Sequence, residues 1–142
     1  MNAKQLKNIA GVLEEVFEST FALYFKTHSY HWNIESKDFP VIHKMLGEQY
    51  DSLWESLDDI AERMRVFQLP APSALAAQKA KPFGTSRDEM LKDVLKGYES
   101  LIEILKKGID TLEENGDVAG ADFLTGLLAD HEKTAWMIRA SV

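Results

Sequence analysis

Cysteine is absent from this sequence of 142 residues, which excludes disulfide bonds, thiolate metal ligands and cysteine nucleophiles. Proline is scarce, and three of the four prolines, Pro70, Pro72 and Pro82, fall close together, so the rest of the chain is free to form helices. No long apolar run occurs, and Glu14 and Glu15 interrupt the N-terminal segment where a signal peptide would need an apolar core. We therefore expect a cytoplasmic protein without membrane contact, in which any metal binds nitrogen and oxygen ligands.

Basic residues are also fewer than acidic ones. Sixteen lysines and arginines stand against 23 aspartates and glutamates, giving a net charge of −7, and the lysines form no tail. Because affinity for nucleic acid depends on neutralising phosphates, DNA binding should be weak or absent. An acidic surface suits cations, although it also serves solubility alone. The length fits one domain, residues 1–142.

The first half of the chain carries two long stripes of apolar residues at helical spacing. They predict a helix from about Lys4 to Trp32 and a second from Pro40 to about Arg65, which a short loop must join in antiparallel fashion. The following segment, 66–85, contains the clustered prolines and predicts a crossover with a short helix capped by Ser73.

The second half of the chain repeats the pattern of two helices and a tight connection. Ser86 caps the predicted third helix, which stops at Asn115 and Gly116, and Asp117 caps the fourth. No strand pattern appears. The sequence therefore predicts an all-α fold, a ferritin-like four-helix bundle with one long crossover.

Three of the four histidines lie between His28 and His43, at the predicted junction of the first two helices. Farther along the second helix, Asp58 and Glu62 stand four residues apart, so their carboxylates can converge on one cation. Carboxylate and imidazole together suit iron or zinc. None of the four histidines has glutamate three residues before it, so the internal Glu-x-x-His site of di-iron bundles is not expected.

The candidate ligands cannot meet within one chain. His43 and Asp58 are separated by about 22 Å along a helix that rises about 1.5 Å per residue. If this face meets a two-fold related copy in antiparallel fashion, His43 of one chain comes opposite Asp58 and Glu62 of the other, and His31 can join from the same end of the bundle. The alternative is that the histidines are helix-end residues and the carboxylates are merely solvated.

Several motifs together resemble one family, the Dps proteins or mini-ferritins. They are HWN at His31–Asn33, the spacing of Phe39 and His43, DDIAER at Asp58–Arg63, and DHEKTAWM at Asp130–Met137. The resemblance covers essentially the whole chain. It implies a hollow spherical shell, a homododecamer built from two-fold dimers, that stores ferric mineral and protects the cell from oxidative damage.

The resemblance also implies an activity and its residues. The protein should be a ferroxidase that oxidises ferrous iron with hydrogen peroxide or oxygen at sites between subunits. His31 and His43 from one chain, and Asp58 and Glu62 from its mate, should be the metal ligands and catalytic residues for one or two iron ions.

One position departs from the family pattern. The family commonly has an acidic residue four after the second histidine, and here that residue is Gly47. The second iron site should therefore be weak, with Glu48 or Asp51 as poorly directed substitutes. The rival interpretation is a non-enzymatic shell or DNA-compacting protein whose metal site has decayed.

Other residues receive secondary roles. Trp32 is expected beside the irons without binding them, His28 is expected to be structural, and His131 is expected to be a hydrogen-bonded packing residue of the last helix. Asp122 and Asp130 resemble family positions near acidic pores that draw cations inward.

Overall fold

The computed structural model describes residues 1–75 and 86–142, which form four helices and, within those ranges, no strand. The helices are α1 (Ala3–Asn33), α2 (Phe39–Val66), α3 (Arg87–Glu114) and α4 (Val118–Arg139). The predicted helices and their approximate ends are confirmed. None of the helices described is both long enough and apolar enough to cross a membrane.

The predicted short helix after Ser73 falls mainly on residues 76–80, which lie outside the described residues. Residues 73–75 are described and are not helical.

Local side-chain chemistry fixes the helix ends. The side chain of Ser86 accepts a hydrogen bond from the backbone N–H of Glu89, as predicted for the start of α3. Asp117 Oδ1 accepts from the N–H of Gly120 at 2.9 Å and caps α4. Gly116 between the two helices has φ of +86°, a left-handed conformation that glycine adopts without steric cost.

Helix α1 packs against both α2 and α3, and α4 packs against α3. Two glycines of α3 let it approach α1 closely: a Cβ at Gly97 would lie 2.6 Å from Leu23, and one at Gly108 would lie 2.9 Å from Val12. Since residue numbers fall along α1 as they rise along α3, the two helices are antiparallel. Helices α2 and α3 then run in the same direction, which is why the long crossover is needed.

The core of the bundle is mainly apolar, and among the buried polar side chains is the imidazole of His131 on α4. Its ring lies 5.5 Å from the ring of Tyr98, centroid to centroid, and burial lowers the pKa of His131 to about 4. Among the described residues nothing bonds to its Nε2. His131 thus packs in the core as predicted, and its expected hydrogen bond stays a prediction.

Candidate metal centre

His31 near the end of α1 and His43 in the first turns of α2 form a reciprocal pair. His31 Nδ1 lies 2.7 Å from the backbone oxygen of His43, and His43 Nδ1 lies 2.7 Å from the backbone oxygen of His31. A carbonyl oxygen only accepts, so both Nδ1 atoms carry the proton and donate it. In its neutral form each ring is then left with an unprotonated Nε2, the nitrogen that binds a metal when the other donates to a carbonyl. We call this pair the histidine half-site.

The two imidazoles also stack, with centroids 3.7 Å apart and planes inclined by 15°. A metal bound to imidazole lies near the ring plane, about 2 Å from the nitrogen. Since the two planes are nearly parallel and separated, an ion in the plane of His31 lies outside the plane of His43. The stack therefore suits two neighbouring ligand positions better than one ion held by both rings.

Aromatic neighbours hold the histidine half-site from several directions. Phe39 stacks on His43 with centroids 4.7 Å apart, and Tyr50 meets His31 edge-on at 5.0 Å. His28 lies 3.7 Å from Tyr50 in a parallel stack. Burial lowers the pKa of His28, as does the repulsion it would meet from a protonated His31, and Asp51 opposes that shift. The imidazole of His28 is therefore neutral at neutral pH.

Gly47 lies directly beside His31. A Cβ at this position would stand 3.2 Å from His31 Cε1 and 3.4 Å from its Nδ1. Because a hydrogen bond to the backbone of His43 and the stack on its ring fix the imidazole, it has little room to move away. The glycine thus leaves space for His31 and provides no ligand of its own.

The second set of candidate ligands lies near the end of α2. Asp58, Asp59 and Glu62 each offer a carboxylate oxygen within 4.8 Å of the other two, and all three residues are exposed. They are the one such group among the described residues, and we call them the carboxylate half-site. Asp58 and Asp59 line an open groove of about 670 Å³ beside Trp54 and two phenylalanines of α1, Phe17 and Phe21.

The two half-sites lie on one unbroken helix, since α2 extends from Phe39 to Val66. His43 and Asp58 are therefore about 22 Å apart at the usual helical rise. The structure brings His31 to His43, and Asp58 to Glu62, but it does not bring the two half-sites together within one chain.

Comparison with known proteins gives one consistent result. A family model for the ferritin-like domain matches residues 11–142. The structure is similar to that of a Dps protein from Bacillus brevis, with a TM-score of 0.91, 29% identity, and 99% of this chain and 98% of that one covered.

Proteins similar in sequence point to the same family. A protein of Nostoc sp. described as an uncharacterized low temperature-induced protein is 31% identical over 98% of this chain and 82% of its own length. A DNA protection during starvation protein of Brevibacillus brevis is 30% identical, with 93% of both chains covered. The chain belongs to the Dps family.

As a Dps protein, this chain has its remaining predicted residues in varied surroundings. Trp32 is 58% exposed and its ring lies 4.0 Å from that of His28. Glu48 is exposed and pairs with Lys44 at 3.9 Å. Asp122 and Asp130 are exposed, and their role beside a pore stays a prediction, since a pore lies between subunits.

Two features of this Dps chain were missed from the sequence. Asp59 was overlooked because it is one residue from Asp58, yet it lies three before Glu62, a spacing that places side chains side by side on a helix. The other is a hydrogen bond of 2.9 Å between the hydroxyl of Tyr24 and Nδ1 of His28. Its signal in the sequence was the four-residue spacing of these two side chains on α1.

Proposed function

We propose that this protein sequesters iron by oxidising ferrous ions with hydrogen peroxide or oxygen at sites shared by two subunits, and stores the ferric product. Membership of the Dps family supports iron sequestration and stress protection in general terms. The observation that carries the finer proposal is the separation of two complementary half-sites on one rigid helix. Each lacks what the other has, and a second copy can supply it.

The surface around the half-sites supports such a contact. Trp54 is 57% exposed and shares the open groove with Asp58. Large aromatic side chains left in water favour burial against a partner. In an antiparallel two-fold dimer, His31 and His43 of one chain face Asp58 and Glu62 of the other, and Asp59 stands beside them as a further oxygen donor.

The ligand set suits the chemistry. Carboxylate oxygens favour the ferric product, and imidazole holds the ferrous ion. Oxidation of two ferrous ions by one peroxide follows 2 Fe²⁺ + H₂O₂ + 2 H⁺ → 2 Fe³⁺ + 2 H₂O, which releases no hydroxyl radical. The stacked imidazoles leave room for one or two ions, and Gly47 makes the second the weaker.

Assembly and partners follow the family. Twelve chains, built from two-fold dimers, form the hollow shell in this proposal, with ferrous iron and peroxide as substrates. The net charge of −7 opposes DNA binding, so a gel-shift assay at physiological salt should show free plasmid. A retained plasmid would favour the rival, DNA-compacting function.

The decisive test is complementation between two variants. One carries His31→Ala and His43→Ala, and the other carries Asp58→Ala and Glu62→Ala. Each assembled alone should oxidise ferrous iron no faster than the buffer does. Dimers of mixed composition contain one complete centre and one empty one, so co-assembly in equal amounts should restore about a quarter of the natural rate.

The mixture needs two checks. Native mass spectrometry should show mixed dimers, and natural protein co-assembled with the histidine variant serves as the positive control. If the mixture contains mixed dimers and stays inactive, the ligands do not come from different chains. Equal rates in the natural chain and both variants would favour the non-enzymatic shell.

A further inference from the structure

A continuous series of rings extends from the histidine half-site to the groove beside the carboxylate half-site inside one chain. Neighbouring ring centroids in this series lie between 3.7 and 5.6 Å apart. The last ring lines the groove that also contains Asp58. We call it the aromatic series, and its order from the histidine half-site is His31, Tyr50, His28, Tyr24 and Trp54.

Tyr24 in this series has a hydrogen-bond partner for its phenolic proton. Its hydroxyl lies 2.9 Å from Nδ1 of His28, and a neutral imidazole accepts there when its proton is on Nε2. A tyrosine that gives up an electron also gives up its phenolic proton, because the oxidised phenol is a strong acid. The existing hydrogen bond lets that proton move a short way without any rearrangement.

The proposed reaction at the histidine half-site requires such an electron donor. Reduction of hydrogen peroxide to two waters consumes two electrons, and one ferrous ion supplies one. Gly47 brings no carboxylate to His31, so a centre with a single firmly held ion lacks the second electron. Without it, the single ion would leave a hydroxyl radical beside the protein.

We infer that Tyr24 supplies this second electron through the aromatic series, an inference that rests on the proposed function. With His standing for the imidazole of His28, the step is Fe²⁺ + TyrOH + His + H₂O₂ + 2 H⁺ → Fe³⁺ + TyrO• + HisH⁺ + 2 H₂O, in which iron and tyrosine each lose one electron and peroxide gains two. The phenolic proton crosses to His28. A second ferrous ion then restores the tyrosine, and the proton returns from the imidazole: Fe²⁺ + TyrO• + HisH⁺ → Fe³⁺ + TyrOH + His.

The position of Trp54 indicates where that second ion acts. Its ring centroid lies 5.1 Å from that of Tyr24, and it lines the same groove as Asp58 and Asp59. A ferrous ion at the carboxylate half-site of the same chain can therefore reduce the radical from the far end. In a two-fold dimer these two ions belong to different centres, so the aromatic series would couple the two.

The test uses the assembled protein loaded anaerobically with one ferrous ion per chain and mixed with one equivalent of hydrogen peroxide. Freeze-quenched samples are measured by electron paramagnetic resonance for a tyrosyl radical, parallel samples with a spin trap report hydroxyl radical, and absorbance follows ferric iron. The variants are Tyr24→Phe, which keeps the ring, and His28→Phe, which keeps the stack on Tyr50 but removes the proton acceptor. The control is Tyr98→Phe in the bundle core.

We expect a tyrosyl radical in the natural protein and in the control, and none in Tyr24→Phe. His28→Phe should form it more slowly, and both variants should release several-fold more trapped hydroxyl radical. If Tyr24→Phe oxidises iron and gives the same radical and the same trapped yield as the natural protein, the inference is wrong while the proposed function stands. If the natural protein does not oxidise iron with peroxide, the inference and the proposed function are both wrong.

Discussion

The two half-sites of this molecule are built in opposite ways. In the histidine half-site each ring is fixed by a hydrogen bond of 2.7 Å and by the stack on its partner. In the carboxylate half-site Asp58, Asp59 and Glu62 are exposed, and their side chains keep the rotamer freedom of surface residues. The histidine half-site is therefore preorganised, whereas the carboxylate half-site can adapt to a bound ion.

The difference has a consequence for iron chemistry. Oxidation changes the charge of the ion and the ligand geometry it prefers. A site therefore benefits when one set of ligands fixes the position of the ion and the other set can rearrange on oxidation. Carboxylates bind through one or both oxygens and remain hydrated until an ion arrives. An imidazole whose Nδ1 donates to a backbone carbonyl offers its Nε2 to the entering ferrous ion in a fixed orientation.

Removing ligands of the carboxylate half-site should have the largest effect on ferrous oxidation. In the double variant Asp58→Ala, Glu62→Ala, the initial rate of ferrous oxidation should fall by at least about 1,000-fold, because even outer-shell changes each cost about 10–100-fold in metal affinity or activity. Stopped-flow absorbance of ferric iron measures it. Asp59→Ala is the matched comparison, and an equally large loss there would make Asp59 a principal ligand.

The buried imidazole of His131 adds a third case to this comparison. Its pKa is 6.5 when unfolded and about 4 when folded, so the unfolded chain binds more protons between these values. The free energy of unfolding therefore has its full value above about pH 6.5 and decreases as the pH falls toward 4, by roughly 3 kcal/mol at 1.36 kcal/mol per pKa unit.

Urea denaturation of metal-free protein at a fixed chain concentration measures this decrease. The control is His131→Leu, which keeps every other histidine and should show a shallower dependence in the same pH range. If both proteins lose stability equally between pH 6.5 and 4, the acid sensitivity comes from other groups.

Gly47→Ala tests how rigid the histidine half-site is. The added Cβ would lie 3.2 Å from His31 Cε1, and displacement of a fixed ligand should weaken ferrous binding by about 10-fold. Alanine favours a helix over glycine by about 1 kcal/mol, so thermal stability should not fall. Anaerobic calorimetry with ferrous iron and thermal unfolding give the two values.

Gly126→Ala on α4 is the control, because nothing lies within 4 Å of its added Cβ. It should gain stability and leave ferrous affinity unchanged. Unchanged affinity in Gly47→Ala as well would mean that His31 can move aside.

The smallest effect is expected for Glu48→Gln. Glu48 is exposed and its contact with Lys44 spans 3.9 Å, a type of surface pair that contributes about 0–1 kcal/mol. Ferrous affinity should change by less than about two-fold, in line with ordinary surface substitutions. A larger loss, measured by the same calorimetry, would mean that Glu48 substitutes for the acidic residue missing at position 47.

The helices could be predicted because their signals are local. Ser86 and Asp117 cap the helices that follow them, and each capping hydrogen bond spans only three residues. The i, i+4 pair of Asp58 and Glu62 was found for the same reason, since helix geometry alone brings such side chains together.

The arrangement of the histidines could not be predicted in the same way. The bonds between His31 and His43 cross from α1 to α2, so they depend on how far one helix is shifted along the other. Periodicity places both residues near one end of the bundle but does not fix that shift. The tautomers, the stack and the tight contact with Gly47 all follow from it.

By itself, the sequence determined four helices, their order and the separation of imidazoles from carboxylates along α2, because each depends on neighbours a few residues away. Only the tertiary structure decided that the imidazoles present unprotonated Nε2 atoms and that rings of two helices connect His31 to Trp54. Those features arise where side chains distant in sequence are packed to fixed separations, and no pattern within one helix specifies such contacts.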